Sequence, residues 1–231
     1  MGRERMTLKI YEDLEQGTPE WLAARCGIVT ASVVGQLITP KTVKPAANDY
    51  SRALAMTLTA ERITGYVEPI HENHDMLRGT LDEPFARDKY AEHHAPVTEV
   101  GFMVRDDWGF RLGYSPDGLV GDHGLIEIKS RRQKKHLATI LADEVPLENM
   151  AQCQAGLLVS GRDWIDYVSF CSGMPLYVKR VTPDPRWFTA IIEAVSAFET
   201  ASADMLTTYA ARTANSPATE RIDHFAEMEI F

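Results

Sequence analysis

The sequence predicts an α/β fold: a single domain with a mixed central β-sheet flanked by helices. Three observations predict it. Short strand-like segments cluster in the middle of the chain, and helical patterns lie on both sides of them. The chain has 231 residues and shows no internal repeat and no clear linker, which suits one domain of generous size. A chain of this length buries about 70% of its unfolded surface, so neither a disulfide nor a metal is needed merely to fold.

The elements follow in order. Thr18-Pro19-Glu20-Trp21 predicts a helix start, with Thr as N-cap, Pro at the first position and Glu in the first turn; Gly27 closes it. Thr30-Ala31-Ser32 begins a second short helix, and residues 40–48 read as a loop. A helix over 49–64 turns Leu54, Leu58 and Ile63 inward and ends at Gly65; another over 77–94 carries Leu81, Phe85 and Tyr90 at helical spacing and stops before Pro96. Strands are predicted over 97–104, 109–114, 118–120 and 125–129, with a turn at 121–124. Helices over 133–141 and 147–159, strands over 165–170 and 176–181, and a long helix over 185–211 complete the pattern. That last helix has Trp187, Ile191, Val195, Phe198, Met205 and Tyr209 on one side, as interface or core. The tail from 214 to 231 is acidic and ends in Met228-Glu229-Ile230-Phe231.

Composition narrows the class. Hydrophobic residues make up 45% and charged residues 25%, ordinary for a soluble protein. No run approaches the roughly 18 apolar residues of a membrane span, and residues 1–10 lack the apolar stretch of a secretory signal. The three cysteines, Cys26, Cys153 and Cys171, are scattered without Cys-x-x-Cys spacing, so free thiols are expected and a zinc or iron–sulfur site is not. His71, His74, His93 and His94 form two pairs, but no cysteine or carboxylate completes a tetrahedral zinc set. The net charge of −9 argues against nucleic acid at first sight. Its distribution softens that: residues 183–231 hold three arginines against eight acids, and cations gather mid-chain.

The chemistry concentrates in Ser115-Pro116-Asp117-Gly118 and Glu127-Ile128-Lys129, with nine residues between Asp117 and Glu127. Glu127 and Lys129 share one face of a strand, while Ile126 and Ile128 face the other way. In a hairpin Asp117 then lies near Glu127. Two carboxylates make a hard oxygen site for Mg²⁺ or Mn²⁺, with the Ile128 backbone carbonyl as a further ligand. Lys129 is placed to orient a water or neutralise developing charge. An Asp-Gly turn and a solvated Glu–Lys pair are the plain alternatives.

Other segments agree with the nuclease reading. The pattern Pro116-Asp117 with Glu127-Ile128-Lys129 resembles the PD-(D/E)XK nuclease core, a restriction-endonuclease-like fold. Gly79-Thr80-Leu81-Asp82-Glu83-Pro84-Phe85-Ala86-Arg87 resembles a helix motif of phage recombination exonucleases. Glu15-Gln16-Gly17, Trp21, Arg25, Gly27 and Thr30-Ala31-Ser32 resemble the opening segment of lambda exonuclease, and Ala151-Gln152-Cys153-Gln154 resembles its glutamine helix. The motifs occur in order from Glu15 to Gln154 and mark a resemblance to the lambda-exonuclease, YqaJ-type viral recombinase family.

That resemblance implies a single nuclease domain over 1–231, with a core at about 15–182. It implies a Mg²⁺-dependent enzyme using one or two ions, digesting the 5′ strand of linear double-stranded DNA to mononucleotides and leaving a 3′ strand for a single-strand annealing protein. A homotrimer ring and a bacterial cytoplasm, from phage or prophage, are implied as well. Carried onto this chain, Asp117, Glu127 and the Ile128 carbonyl hold metal, Lys129 is the catalytic lysine, and Glu83 approaches the metal through water or a second ion. The plain reading of Glu83 is an ion pair with Arg87 one turn on. Arg25, Ser32, Ser115 and Gln152 match positions that bind the 5′-terminal phosphate, against plain roles as helix-end polar groups. Where related chains often carry a tyrosine after the glutamine motif, this one has Gly156 and Leu157.

Weaker DNA-binding candidates are the run Arg131, Arg132, Lys134 and Lys135, the loop residues Lys41 and Lys44, and Met76 as a wedge where strands part. An endonuclease on the same core, a CRISPR-associated nuclease (which needs a four-cysteine cluster), a non-catalytic DNA-end-binding module and an acidic interaction domain remain as alternatives.

Overall fold

The computed structural model describes residues 8–69 and 73–222. His71 and the apolar end at residues 228–231 lie outside the described residues. The chain runs β1 (Leu8–Tyr11), α1 (Pro19–Arg25), β2 (Val29–Thr30), α2 (Ala31–Val34), a 3₁₀ turn (Gly35–Leu37), β3 (Ile38–Thr39), β4 (Lys44–Pro45), α3 (Asp49–Thr64) and α4 (His74–His93). It continues through β5 (Phe102–Arg105), β6 (Leu112–Tyr114), β7 (Gly118–Val120), β8 (Gly124–Ser130), α5 (Gln133–Ala142), α6 (Leu147–Ser160), β9 (Trp164–Phe170), β10 (Tyr177–Val181) and α7 (Pro185–Thr213).

Local chemistry sets the helix starts. Thr18 Oγ1 accepts the Trp21 N–H at 3.3 Å, with Pro19 inside the first turn. Asn48 and Ser51 form a reciprocal capping box on α3. Asn73 accepts from the N–H groups of Asp75 and Met76 at the head of α4, and Asp184 caps α7. Each cap satisfies backbone donors that the helix itself leaves unpaired.

The sheet is mixed, as expected, but it is divided. One four-stranded sheet has the order β1-β5-β6-β2, the other β10-β9-β8-β7, and β3 and β4 form a small hairpin. β8 runs parallel to β9 over seven residue pairs, while β7 and β10 are antiparallel to their neighbours. α6 is buried almost throughout and packs on strands of both large sheets, which joins them around one core. Val29, Leu112, Leu125, Ile165 and Ile191 belong to that core. A smaller cluster of Ala86, Tyr90, Ile126, Ile128 and Val168 pins α4 to the opposite face of β8.

Several expectations need correction. The loop at 40–48 contains β4, and α4 begins at His74, so Met76 sits in a helix and not in a loop. Ile63, Leu81 and Phe85 are solvent-exposed; α4 buries only Ala86 and Tyr90, one turn apart, because its inward stripe lies one residue later than the Leu81–Phe85 spacing. The strands expected over 97–104 and 109–114 shorten to β5 and β6. The first half of α7 is core, whereas Tyr209 is exposed. No helix among the described residues is long and apolar enough to cross a membrane.

Candidate active site

The β7–β8 hairpin builds the acidic wall. Pairing of Gly118 with Ile126 places Asp117 next to Glu127 across the ladder. Asp117 Oδ2 accepts the Ile128 N–H at 2.6 Å, and Glu127 Oε1 accepts from Lys129 Nζ at 2.7 Å. A strand residue directs its N–H and C=O to the same side. The Ile128 carbonyl therefore faces the same side as the Asp117 carboxylate. Tyr114 reaches the second Glu127 oxygen at 3.4 Å. Gly156 makes room for that ring: a Cβ there would stand 2.8 Å from the Tyr114 ring carbon Cζ. The Tyr114 ring thus packs directly on Gly156, one of the two residues that follow the glutamine motif.

α4 adds a third carboxylate. Glu83 pairs with Arg87 in the same helix, and Arg87 also donates from Nε to the Asp117 carbonyl at 2.9 Å and pairs with Glu99 at 2.9 Å. Glu83 bonds Arg87, as the plain reading has it, and also lines the same cavity as Asp117 and Glu127. The first turns of α4 are stitched to the end of β8: Ser130 donates to Asp82 at 2.6 Å and accepts from Arg78 at 3.0 Å.

Burial dominates the electrostatics. It pushes the Asp117 carboxyl well above the usual carboxylate range, helped by Glu127 and opposed by Lys129. Glu83 is raised by burial too, with Arg87 pulling the other way. Burial disfavours the Lys129 ammonium, but Glu127 and Asp117 outweigh it and raise the lysine above its ordinary value. The cluster thus gathers three carboxyl groups near one lysine, and burial favours a proton on Asp117 and Glu83.

The other wall comes from α1, α2 and the turn before β7. Arg25 donates to Thr30 Oγ1 at 3.2 Å, and its guanidinium lies 4.1 Å from the centre of the Trp21 ring. Thr30 Oγ1 and Ser32 Oγ are 3.0 Å apart, and Trp21 Nε1 donates to Ser115 Oγ at 2.9 Å. Burial lowers the Arg25 pKa, with Glu61 opposing. Arg25 has no carboxylate within ion-pair distance among the described residues. An incompletely balanced cation among hydroxyls is suited to an anion.

Both walls enclose one cavity of about 450 Å³. Arg25, Ser32, Ser115, Gln152, Glu83, Asp117, Glu127, Ile128, Lys129 and Met76 all line it. Trp21 and Thr30 belong beside them. Both were visible in the opening motif, but only the folded pocket reveals that they orient Arg25 and Ser115.

The weaker candidates separate. Arg131 is buried and used internally: it donates to Tyr167 at 2.9 Å, pairs with Glu148 at 2.9 Å and bonds Asn149. It is not a free DNA contact, because strand alternation carries it inward with Lys129. Arg132 pairs with Asp75 at the cavity mouth. Lys134 and Lys135 are exposed on α5, while Lys41 and Lys44 lie around the β3–β4 hairpin, outside the cavity. Gln154 links α6 to the start of α7 through the Thr182 carbonyl and the Asp184 N–H.

No three His, Cys, Asp or Glu side chains form a ready metal cage among the described residues. That does not disqualify Mg²⁺, which keeps several waters and takes only one or two carboxylates. The buried Glu127, the half-buried Asp117, an adjacent backbone carbonyl and a third carboxyl on Glu83 fit such an ion.

A sequence model described as the YqaJ-like viral recombinase domain matches residues 20–163, most of the chain and both walls of the cavity. The chain belongs to the YqaJ-like viral recombinase family. Among solved structures, this family member is similar to an alkaline exonuclease from Laribacter hongkongensis, at 34% identity and a TM-score of 0.77, covering 87% of this chain and all (100%) of the other. The match is equal for that exonuclease in complex with dAMP. A phage-related exonuclease from Haemophilus somnus 129PT shares the fold at 15% identity and a TM-score of 0.61, covering 79% of this chain and 96% of the other. A search of curated proteins finds no significant match.

Proposed function

We infer that the chain is a deoxyribonuclease of alkaline-exonuclease type, and propose that it digests one strand of linear double-stranded DNA from a 5′-phosphorylated end. Mononucleotides leave, and a 3′ single strand remains for an annealing protein in phage-type recombination. The observation that carries this reading is the junction of an anion pocket and a carboxylate–lysine cluster within one cavity. A terminal phosphate in the first would bring a phosphodiester to the second.

In this reading Asp117, Glu127 and the Ile128 carbonyl hold Mg²⁺ or Mn²⁺, and Glu83 reaches it or a second ion through water. The bound ion supplies an activated water and a counter-charge to the phosphoryl oxygen. Lys129, kept as an ammonium by its two acidic neighbours, donates to the attacking water or the developing oxyanion. Arg25, Ser32, Ser115 and Gln152 seat the terminal phosphate, which carries more charge than a bridging one. Arg132, Lys134 and Lys135 attract the duplex close by; Lys41 and Lys44 act farther off. Met76 stands at the mouth, where strands would part. A homotrimer ring around the DNA, in the cytoplasm of a bacterial host, rests on the family resemblance. The apolar Leu77, Leu81 and Phe85, exposed along α4, are compatible with such assembly.

The test is the product profile on end-labelled linear duplex, with and without Mg²⁺. Mononucleotides should come from the 5′ label only, and closed circular DNA should stay intact. Cutting of circles, or release from the 3′ end, overturns the proposal.

A further inference from the structure

Arg25 sits at the end of a short helix that, apart from the Trp21–Ser115 bond, has little to anchor it. α1 has seven residues and buries none of them. What fixes the end of α1 is the turn behind it. Gly27 adopts φ 65°, a left-handed conformation, and a Cβ there would stand 2.4 Å from Arg62 Cγ. α3 grips the Gly27 residue from both sides: its N–H donates to Glu61 Oε2 at 2.7 Å, and its carbonyl accepts from Arg62 Nε at 2.7 Å. Cys26 Sγ donates to the Glu61 carbonyl at 3.4 Å.

Arg62 is itself held by α7. Its two terminal nitrogens each donate to a Glu199 oxygen at 2.7 Å, and one also reaches Ser202 at 3.3 Å. Thr59 donates to Ser202 at 2.9 Å, and the guanidinium lies 4.9 Å from the centre of the Phe198 ring. The Arg62 and Glu199 side chains are 24% and 28% exposed, so the pair is shielded enough to hold one geometry. A bidentate fork of this kind fixes orientation as well as distance. The chain of contacts runs without a gap from α7 through Arg62 to Gly27, two residues from Arg25.

We propose that Arg62, oriented by Glu199, is a positioning residue that sets where Arg25 stands, so that α7 contributes to recognition of the DNA end without lining the cavity. The proposal rests on the reading of Arg25 as a phosphate ligand. Neither Arg62 nor Glu199 faces the cavity. Their effect is transmitted by the Gly27 backbone alone.

The test compares binding of one duplex oligonucleotide with a 5′-phosphate or a 5′-hydroxyl end, in chelator, for the full chain and the variants R62K, E199Q and R25A. Lysine keeps the charge but cannot bridge the Gly27 carbonyl and both Glu199 oxygens; glutamine keeps the shape of Glu199 and is the milder change. Melting temperature is followed alongside. R62K and E199Q should reduce the preference for the phosphorylated end on the order of tenfold, with little change for the hydroxyl end, as expected when a binding group shifts by a fraction of an ångström. If R25A removes the preference while R62K and E199Q keep it, or weaken both ends equally, the positioning role is overturned. If R25A itself keeps the preference, the phosphate reading fails and the proposal falls with it.

Discussion

The two walls of the cavity solve opposite problems. The β7–β8 wall, with Glu83 from α4, sets three carboxyl groups near the single ammonium of Lys129, and burial raises Asp117 and Glu83. The α1–α2 wall surrounds one arginine with hydroxyls and an indole, and burial lowers it. One wall is poised for a cation and the other for an anion. The contrast also extends to mechanics. Asp117 and Lys129 are fixed within a hairpin by bonds to β8, whereas Arg25 depends on a turn held from behind. The proposed end-reading activity would need both, and each wall should fail in its own way.

The largest separation is expected from Lys129. K129A should lower cleavage by about 10²–10³-fold or more, as for loss of a positioned electrostatic stabiliser, while oligonucleotide binding persists. Near-normal turnover would remove the cluster from the chemistry. Next comes the other wall: R25A should lower the rate on 5′-phosphorylated ends by roughly 10–100-fold, with a far smaller change on 5′-hydroxyl ends, in line with the loss of a charge-assisted bidentate contact. Equal losses on both ends would dissolve the distinction between the walls.

The third prediction concerns protons. Asp117 and Glu83 titrate above their unfolded values, so their contribution to stability is complete below the ordinary carboxylate pKa and is lost as pH rises through the raised values. In chelator the melting temperature should therefore fall from mildly acidic towards neutral and alkaline pH, and Mg²⁺ should flatten that fall. A decline unaffected by Mg²⁺ would argue that these carboxylates do not share an ion. The fourth effect is smaller: G156A crowds the Tyr114 ring and should cost about 1–3 kcal/mol of stability by overpacking, read in denaturant titration. The smallest is R132A, which should reduce the salt dependence of DNA binding by about one phosphate contact and leave end preference intact.

Much of this was legible in the sequence because local rules govern it. Alternation put Glu127 and Lys129 on one face, and a Thr-Pro start announced α1. The unreadable parts depend on distant partners. β1 is four residues long, half exposed, and defined by pairing with β5 some ninety residues later. Leu81 and Phe85 had helical spacing, but the fold turns the neighbouring stripe, Ala86 and Tyr90, toward Ile126 and Ile128. Arg131 was hidden in a basic run, although the alternation that placed Lys129 extends one step further and turns it inward. Arg25 and Ser115 could be proposed from motifs; their ties to Trp21 and Thr30 needed the fold.

One feature of the hairpin bears on stability. β7 pairs with β8 only from Gly124 to Ile126, so the remaining stretch of β8 carries no strand on that side. Ile128 is buried there, and a buried N–H without an acceptor is costly. Asp117 takes the Ile128 N–H at that edge. The carboxylate assigned to the metal therefore also completes the backbone bonding of its own hairpin. Replacing it by alanine would orphan that N–H as well as remove a ligand, so a loss of activity in that variant should be read beside its melting temperature.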